Sequence, residues 1–201
     1  MKLDNFALKR VITGIAFAVM LTGAAAAGTR YDDGWAAYER GDHVEAVKHW
    51  RACATDGDMW CQYNLGISYL EGQGVPQDYA EAVLWWHLAA VQGHASSQSN
   101  IGVSYERGLG VPQDYAEAVL WYRLAAEQGD AEAKHNLGLM YATGEGVTQN
   151  FVLAHMWFNL AAAQGVEGSI KGRDMAAERM TSDQITEAQR LAREWKPKAS
   201  Q

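Results

Sequence analysis

Small and apolar residues recur every three or four positions through most of this chain, the spacing of helices that bury one face. In residues 79–90, Ala82, Trp85, Trp86, Ala89 and Ala90 fall together on such a face. In residues 58–71, Leu65, Gly66 and Tyr69 do the same. Between the two stretches stand Gly72 and Gly74, and glycine tolerates the left-handed conformation that stops a helix. Val75-Pro76-Gln77 then connects them. Asp78, three residues ahead of Glu81, predicts an N-cap and a capping box for the second helix, and Gly93 ends it. Residues 58–93 therefore predict one helical hairpin.

The pattern returns with a period of 36 residues, as residues 94–129 and again as 130–165. The first two copies agree at 23 of 36 positions, which marks a duplicated structural unit. Asp114 and Glu117 repeat the cap and box; Asn150 keeps the cap in the third copy, where Leu153 replaces the glutamate. Gly66, Ala82 and Ala89 are expected to let helix backbones approach closely, with Tyr69, Trp85 and Trp86 filling the space beside them. Trp85, Trp121 and Trp157 are assigned to the core. A single hairpin cannot bury its apolar face, so the copies must stack. The predicted fold is an all-α solenoid of helical hairpins.

Residues 28–57 read as a shorter, divergent hairpin. Gly34, Ala46 and Trp50 take the places of Gly66, Ala82 and Trp86, and Asp42 with Glu45 offers another capping box. At the other end, residues 166–201 predict two helices, over 166–180 and 182–196, with a capping box from Thr181 to Gln184. Ile185, Ala188, Leu191 and Trp195 form one apolar stripe there. A terminal cap over the last repeat is the expected role of this pair.

The first residues carry a different signal. Lys2, Lys9 and Arg10 precede an apolar run over residues 11–21, followed by the small residues 22–28. A basic start, a short apolar run and a small-residue patch predict an export signal over residues 1–27, cleaved near Ala26 or Ala27. The run is too short for a comfortable membrane span, so no stable insertion is expected after cleavage, and a periplasmic or secreted location follows. Charge then shapes the choice of partner. Residues 28–165 hold 7 basic and 17 acidic side chains, whereas residues 166–201 hold 7 and 6. An acidic body repels phosphate backbones, which argues against nucleic acid and favours basic protein segments or cations.

The run N-L/I-G-x-x-Y-x-x-G-x-G-V-x-Q-D/N-Y/F-x-x-A, followed by L-A-A-x-Q-G, occurs three times between residues 58 and 165. It resembles the Sel-one-like repeat family, relatives of the tetratricopeptide repeats. That resemblance implies a right-handed superhelix of helical hairpins with a concave inner surface. It also implies a role as an adaptor or scaffold in protein assembly, often in bacterial envelopes or membrane-associated complexes.

Cys53 and Cys61 are the only cysteines. By register both occupy small positions where one unit's second helix meets the next unit's first. A structural disulfide is expected in an oxidising compartment, with free buried thiols or a redox-active pair as the alternatives. The C-x7-C spacing also resembles the cysteine-rich branch of the repeat family, in which such pairs bridge neighbouring helices. The six histidines show no metal-ligand spacing, and neither a metal nor a cofactor is expected. No G-x-S-x-G, S-x-x-K or phosphate-binding loop is present, so catalysis is not the expected role. A periplasmic hydrolase of the β-lactamase-like kind, and a regulator acting on a membrane sensor from the periplasm, stand as alternatives.

The binding reading rests on the first helix of each hairpin, which lines the inner surface in the related tetratricopeptide geometry. Register places Trp60, Tyr63, Asn64, Ile67 and Leu70 there in the first unit. It places Ser96, Ser99, Asn100, Val103, Glu106 and Arg107 in the second, and Glu132, His135, Asn136, Leu139 and Thr143 in the third. These positions change from copy to copy while the frame persists. Asn64, Asn100 and Asn136 recur, and a row of amides suits the backbone of an extended peptide, though it equally suits tying helix to helix. Trp60 and Tyr63 are the expected anchors for a protein or peptide partner.

Overall fold

The structure, a computed structural model, describes residues 24–198, with side chains from residue 30 onward. Most of the leader expected over residues 1–27 lies outside the described residues. Ten helices and no strand occur among them. Helices α1 (Ala24–Glu39) and α2 (His43–Thr55) form the N-terminal hairpin. The three repeat units are α3 (Met59–Glu71) with α4 (Tyr79–Ala90), α5 (Ala95–Arg107) with α6 (Tyr115–Glu127), and α7 (Ala131–Thr143) with α8 (Phe151–Ala162). Helices α9 (Ser169–Ala177) and α10 (Ser182–Glu194) close the array.

Each hairpin is held by the same local devices. Asp78 caps α4 by accepting from the Ala80 and Glu81 amides at 2.9 and 3.1 Å, and Asp114 repeats this on α6. The returning half of the expected capping box is missing at both sites and at Asp42. The N-cap amides that the glutamates would accept already donate to carbonyls of the preceding helix, Asp42 to Ala37, Asp78 to Tyr69 and Asp114 to Tyr105, and Glu45 holds Lys48 at 2.9 Å instead. The reciprocal box forms at Thr181 and Gln184.

The two glycines of the hairpin turn do different work. Gly72 ends α3 in the left-handed region, at φ 70°. Gly74, at φ 74°, rests on the backbone of His43 at the start of α2, where any Cβ would collide with that carbonyl. Gly110 sits likewise on Tyr79 and Gly146 on Tyr115. The turn of every unit thus docks on the second helix of the unit before it. Gln77, Gln113 and Gln149 fix the same turn by donating to carbonyls at the end of the preceding helix, at 2.7 to 2.8 Å.

Packing inside the hairpin differs from the expectation of backbone against backbone. One glycine in each first helix receives an aromatic ring: Trp50 lies over Gly34, Trp86 over Gly66, Tyr122 over Gly102 and Phe158 over Gly138. A Cβ on Gly102 would lie 2.6 Å from the Tyr122 ring. Close-packed interiors leave no room for that atom. The core assignment moves by one residue as a result. Trp86, Tyr122 and Phe158 are the deeply buried rings; Trp85 and Trp121 are half-buried against the core, and Trp157 is buried in it as expected. One residue is a turn of about 100° around a helix, enough to carry a ring from the centre of the interface to its margin.

The joints between hairpins also share one plan. At the first, Gln62 donates to the Ala54 carbonyl at 3.1 Å and accepts from Gln92 at 2.8 Å. At the second, Gln98 and Gln128 repeat the arrangement with Ala90. At the third, Lys134 replaces the glutamine; its Nζ donates to the Gly129 carbonyl at 3.0 Å and to Gln164 at 2.6 Å. Cys53 and Cys61 are bonded at the first joint, with Cα atoms 5.9 Å apart. Ala89 with Ser97, and Ala125 with Ala133, are the fully buried small pairs at the other two. At the C-terminus α9 packs on α8 and touches α7, and α10 packs on α8. Trp195 meets Trp157 edge to face and lies 4.7 Å from Lys134 Nζ. Lys198 then returns the chain to Glu127 at the end of α6.

Candidate functional site: the inner face of the solenoid

Successive first helices touch, α5 against α7, and α7 goes on to touch the capping helix α9. Side chains of non-adjacent units also come into each other's field. The Tyr63 hydroxyl of the first unit is held above its ordinary value first by burial, then by the charges of Asp130 in the third unit and Glu71, while Asn100 opposes this by hydrogen bonding. Contact between first helices, with none of like extent between the second helices α4, α6 and α8, is what an array curved toward its first helices shows. The first helices therefore line the inner face.

On that face the expected residues divide into two groups. Trp60 is 50% exposed, Leu139 38% exposed, and Arg107 is also exposed. Tyr63, Ile67, Asn100, Val103, His135 and Asn136 are half-buried. Asn64 and Ser99, at 7% and 5% exposure, are frame residues with little surface to offer a partner. The recurring asparagines do not stand as a free row of amides. Asn64 is buried with its Nδ2 unpartnered among the described residues, and Asn100 and Asn136 lie close enough to the Tyr63 and Tyr122 phenols to favour their ionised forms. Tyr122 also donates to Glu106 at 2.5 Å, and burial together with that carboxylate holds its hydroxyl far above the usual range. His135 Nδ1 meets Ser169 Oγ at 2.8 Å, joining the third unit to the cap.

Two residues absent from the sequence-based selection belong to the site. His94 is buried and caps α5, where Asp58 and Asp130 cap α3 and α7. Its Nδ1 accepts the Ser97 amide at 3.2 Å. Its ring meets Trp60 edge to face, with centroids 4.6 Å apart, and Tyr63 at 4.7 Å. Asp130 faces the same region from the next cap, and its charge opposes the lowering of the His94 pKa by burial. The signal was present in the register, since cap positions 58, 94 and 130 read Asp, His, Asp. Among the described residues, no group of three or more His, Cys, Asp or Glu is arranged to hold a metal ion. No helix among them is long and apolar enough to cross a membrane.

Stacked hairpins with a repeated buried frame and a varied inner face define an all-helical repeat scaffold. A family model for the Sel1 repeat matches residues 61–94, 95–130 and 131–166, and the chain belongs to the Sel1 repeat family. Among solved structures, it is similar to a protective antigen present in uropathogenic Escherichia coli strains, described as displaying an SLR fold. The two are 36% identical with a TM-score of 0.69, over 84% of this chain and 35% of that one. A Sel1 repeat protein from Oxalobacter formigenes is 29% identical with a TM-score of 0.64, over 81% of this chain and 74% of that one. The present chain thus spans about a third of the first protein's length. A comparison with curated proteins found no match.

Proposed function

We propose that this protein is an exported adaptor that holds a protein or peptide partner on the inner face of its solenoid, in cell-envelope assembly or signalling. The observation that carries the reading is where the copies differ. Inner positions change in size or polarity: Trp60, Ser96 and Glu132 at one, Ile67, Val103 and Leu139 at another, and half-buried Tyr63 and His135 against a buried Ser99 at a third. The glycine-and-ring frame behind them persists. A fixed scaffold with a varied, partly exposed face is suited to recognition rather than to chemistry. The export part rests on the basic, apolar and small-residue order of residues 1–28.

Site-specific photo-crosslinking tests the face. A photoreactive phenylalanine replaces Trp60 or Leu139 on the inner side, or Leu84 on the outer side of α4. Covalent partner adducts are expected from the two inner positions and not from Leu84. Adducts from Leu84 alone, or from all three alike, overturn the assignment. Expression of the full chain in a bacterial host, with sequencing of the mature N-terminus, tests the leader; a start near residue 27 or 28 is expected.

A further inference from the structure

The inner face has a chemical character beyond its shape. Trp60 presents a half-exposed ring whose position is fixed by the His94 ring at 4.6 Å, and Tyr63 backs the same imidazole. Asp130 caps the start of α7, two inner helices on from Trp60, and its charge reaches both His94 and Tyr63. One of its oxygens caps the Ala133 amide at 2.8 Å, and it enters no salt bridge among the described residues. Glu132 adds an exposed carboxylate to the face, Glu71 acts on the Tyr63 phenol, and Glu106 accepts from Tyr122, against the single guanidinium of Arg107. The body as a whole repeats this bias, with 17 acidic and 7 basic side chains over residues 28–165.

We propose that the partner segment is basic and extended, and that one of its Lys or Arg side chains lies on the open face of Trp60 beside Asp130. This rests on the inner-face reading above and names the chemistry of what binds there. A cation over an aromatic face is attracted by the ring quadrupole, and a neighbouring carboxylate adds to that attraction. Because His94 and Tyr63 already hold Trp60 in place, little side-chain freedom remains to be lost on binding. An acidic segment would meet like charge along the whole face. Other exposed apolar groups, such as Leu84 on α4 and Val91 just past its end, with Leu120 and Leu124 on α6, show no such match to any occupant.

The test uses the full chain and two fluorescent dodecapeptides, one alternating Arg and Ala and the other alternating Glu and Ala, read by fluorescence anisotropy. Binding of the arginine peptide is expected at low salt, weakening at roughly 0.5 M salt as exposed charges are screened. The glutamate peptide should not bind. Trp60→Ala should weaken the arginine peptide about 2- to 5-fold, the worth of one exposed cation–π contact. Asp130→Asn keeps a competent cap while removing the charge, and should weaken binding to a similar degree. Asp183→Asn, on the exposed start of α10, should change nothing. The proposal is overturned if the glutamate peptide binds as well, if no binding occurs, or if neither Trp60→Ala nor Asp130→Asn alters the affinity. Crosslinking from Trp60 does not depend on the partner's charge. Inner-face adducts without arginine-peptide binding would therefore reject the basic partner and keep the adaptor reading.

Discussion

The first and third joints of the solenoid have the same geometry and different chemistry. In both, the second helix of one hairpin meets the first helix of the next across small residues, and a side chain at the start of that helix reaches back to the preceding turn. The first joint is closed by the Cys53–Cys61 bond and a neutral pair of glutamines. The third has alanines where the cysteines stand, and its clamp is the ammonium of Lys134, covered by Trp195 of the cap. In a repeat array, stability is close to a sum of unit and interface contributions, so each joint can respond to conditions separately. The first should respond to redox state and the third to what happens at its buried charge.

The largest effect is expected at the first joint. The disulfide closes a short loop, and constraint of the unfolded chain is worth about 2–3 kcal/mol for a loop of this length. Cys53→Ala/Cys61→Ala should lose about that much in denaturant unfolding. Hydrogen exchange should locate the loss in α1 and α2, the hairpin that depends on this joint, while α7 to α10 keep their protection. Adding reductant to the wild type should reproduce the loss and leave the double variant unchanged. Equal stability of the oxidised wild type and the double variant would mean that the covalent closure contributes nothing to the joint.

At the third joint a smaller loss is expected. Lys134→Ala leaves Gln164 Oε1 without its donor and the Gly129 carbonyl with Gln164 Nε2 alone, at 3.2 Å, and removes the cation beside Trp195. Buried groups left without partners typically cost about 1–2 kcal/mol in such a setting. Lys134→Gln restores the residue used at the other two joints and should cost clearly less, since glutamine there reaches the end of the preceding helix through the Ala54 or Ala90 carbonyl. Thermal unfolding of both variants, with exchange measured across α9 and α10, checks the order. If the two substitutions cost the same, the clamp is not the source of the stability.

Much of this was legible in the sequence because it is carried by local rules. Helix stops at Gly72, caps at Asp78, Asp114 and Asn150, and the period of 36 all follow from backbone chemistry that a few neighbouring residues determine. What depends on the turn of one helix against another was harder to read. The apolar spacing includes both Trp85 and Trp86, and only the contact with Gly66 shows which ring is central. The glutamine clamps join residues 30 apart through side chains that look like ordinary surface polar groups. The inner face was placed by register, but register does not tell exposed Trp60 from buried Asn64 and Ser99. That distinction is decided by neighbouring helices, which cover some positions of a stripe and leave others open.

The second joint lies between these extremes and should be the most sensitive to acid. Its cap, His94, stands where the neighbouring units use aspartate, and its Nδ1 must be unprotonated to accept the Ser97 amide. Burial lowers the His94 pKa below the ordinary 6.5, and Asp130 opposes that shift without reversing its direction. The folded state therefore binds this proton less readily than the unfolded chain does. Stability from the cap is fully present above about pH 6.5 and is lost as pH falls through the folded value below it. His94→Asn supplies an uncharged cap that does not titrate. Its stability relative to wild type should rise on acidification by up to about 1 kcal/mol, the usual worth of an N-cap. Because all other titrating groups are common to the two proteins, the difference between their pH profiles isolates this position. His87, His135 and His155 are also lowered by burial and remain in both. Parallel profiles between pH 7 and 5 would show that the Nδ1 cap carries no net stability, leaving the second joint as indifferent to acid as its aspartate-capped neighbours.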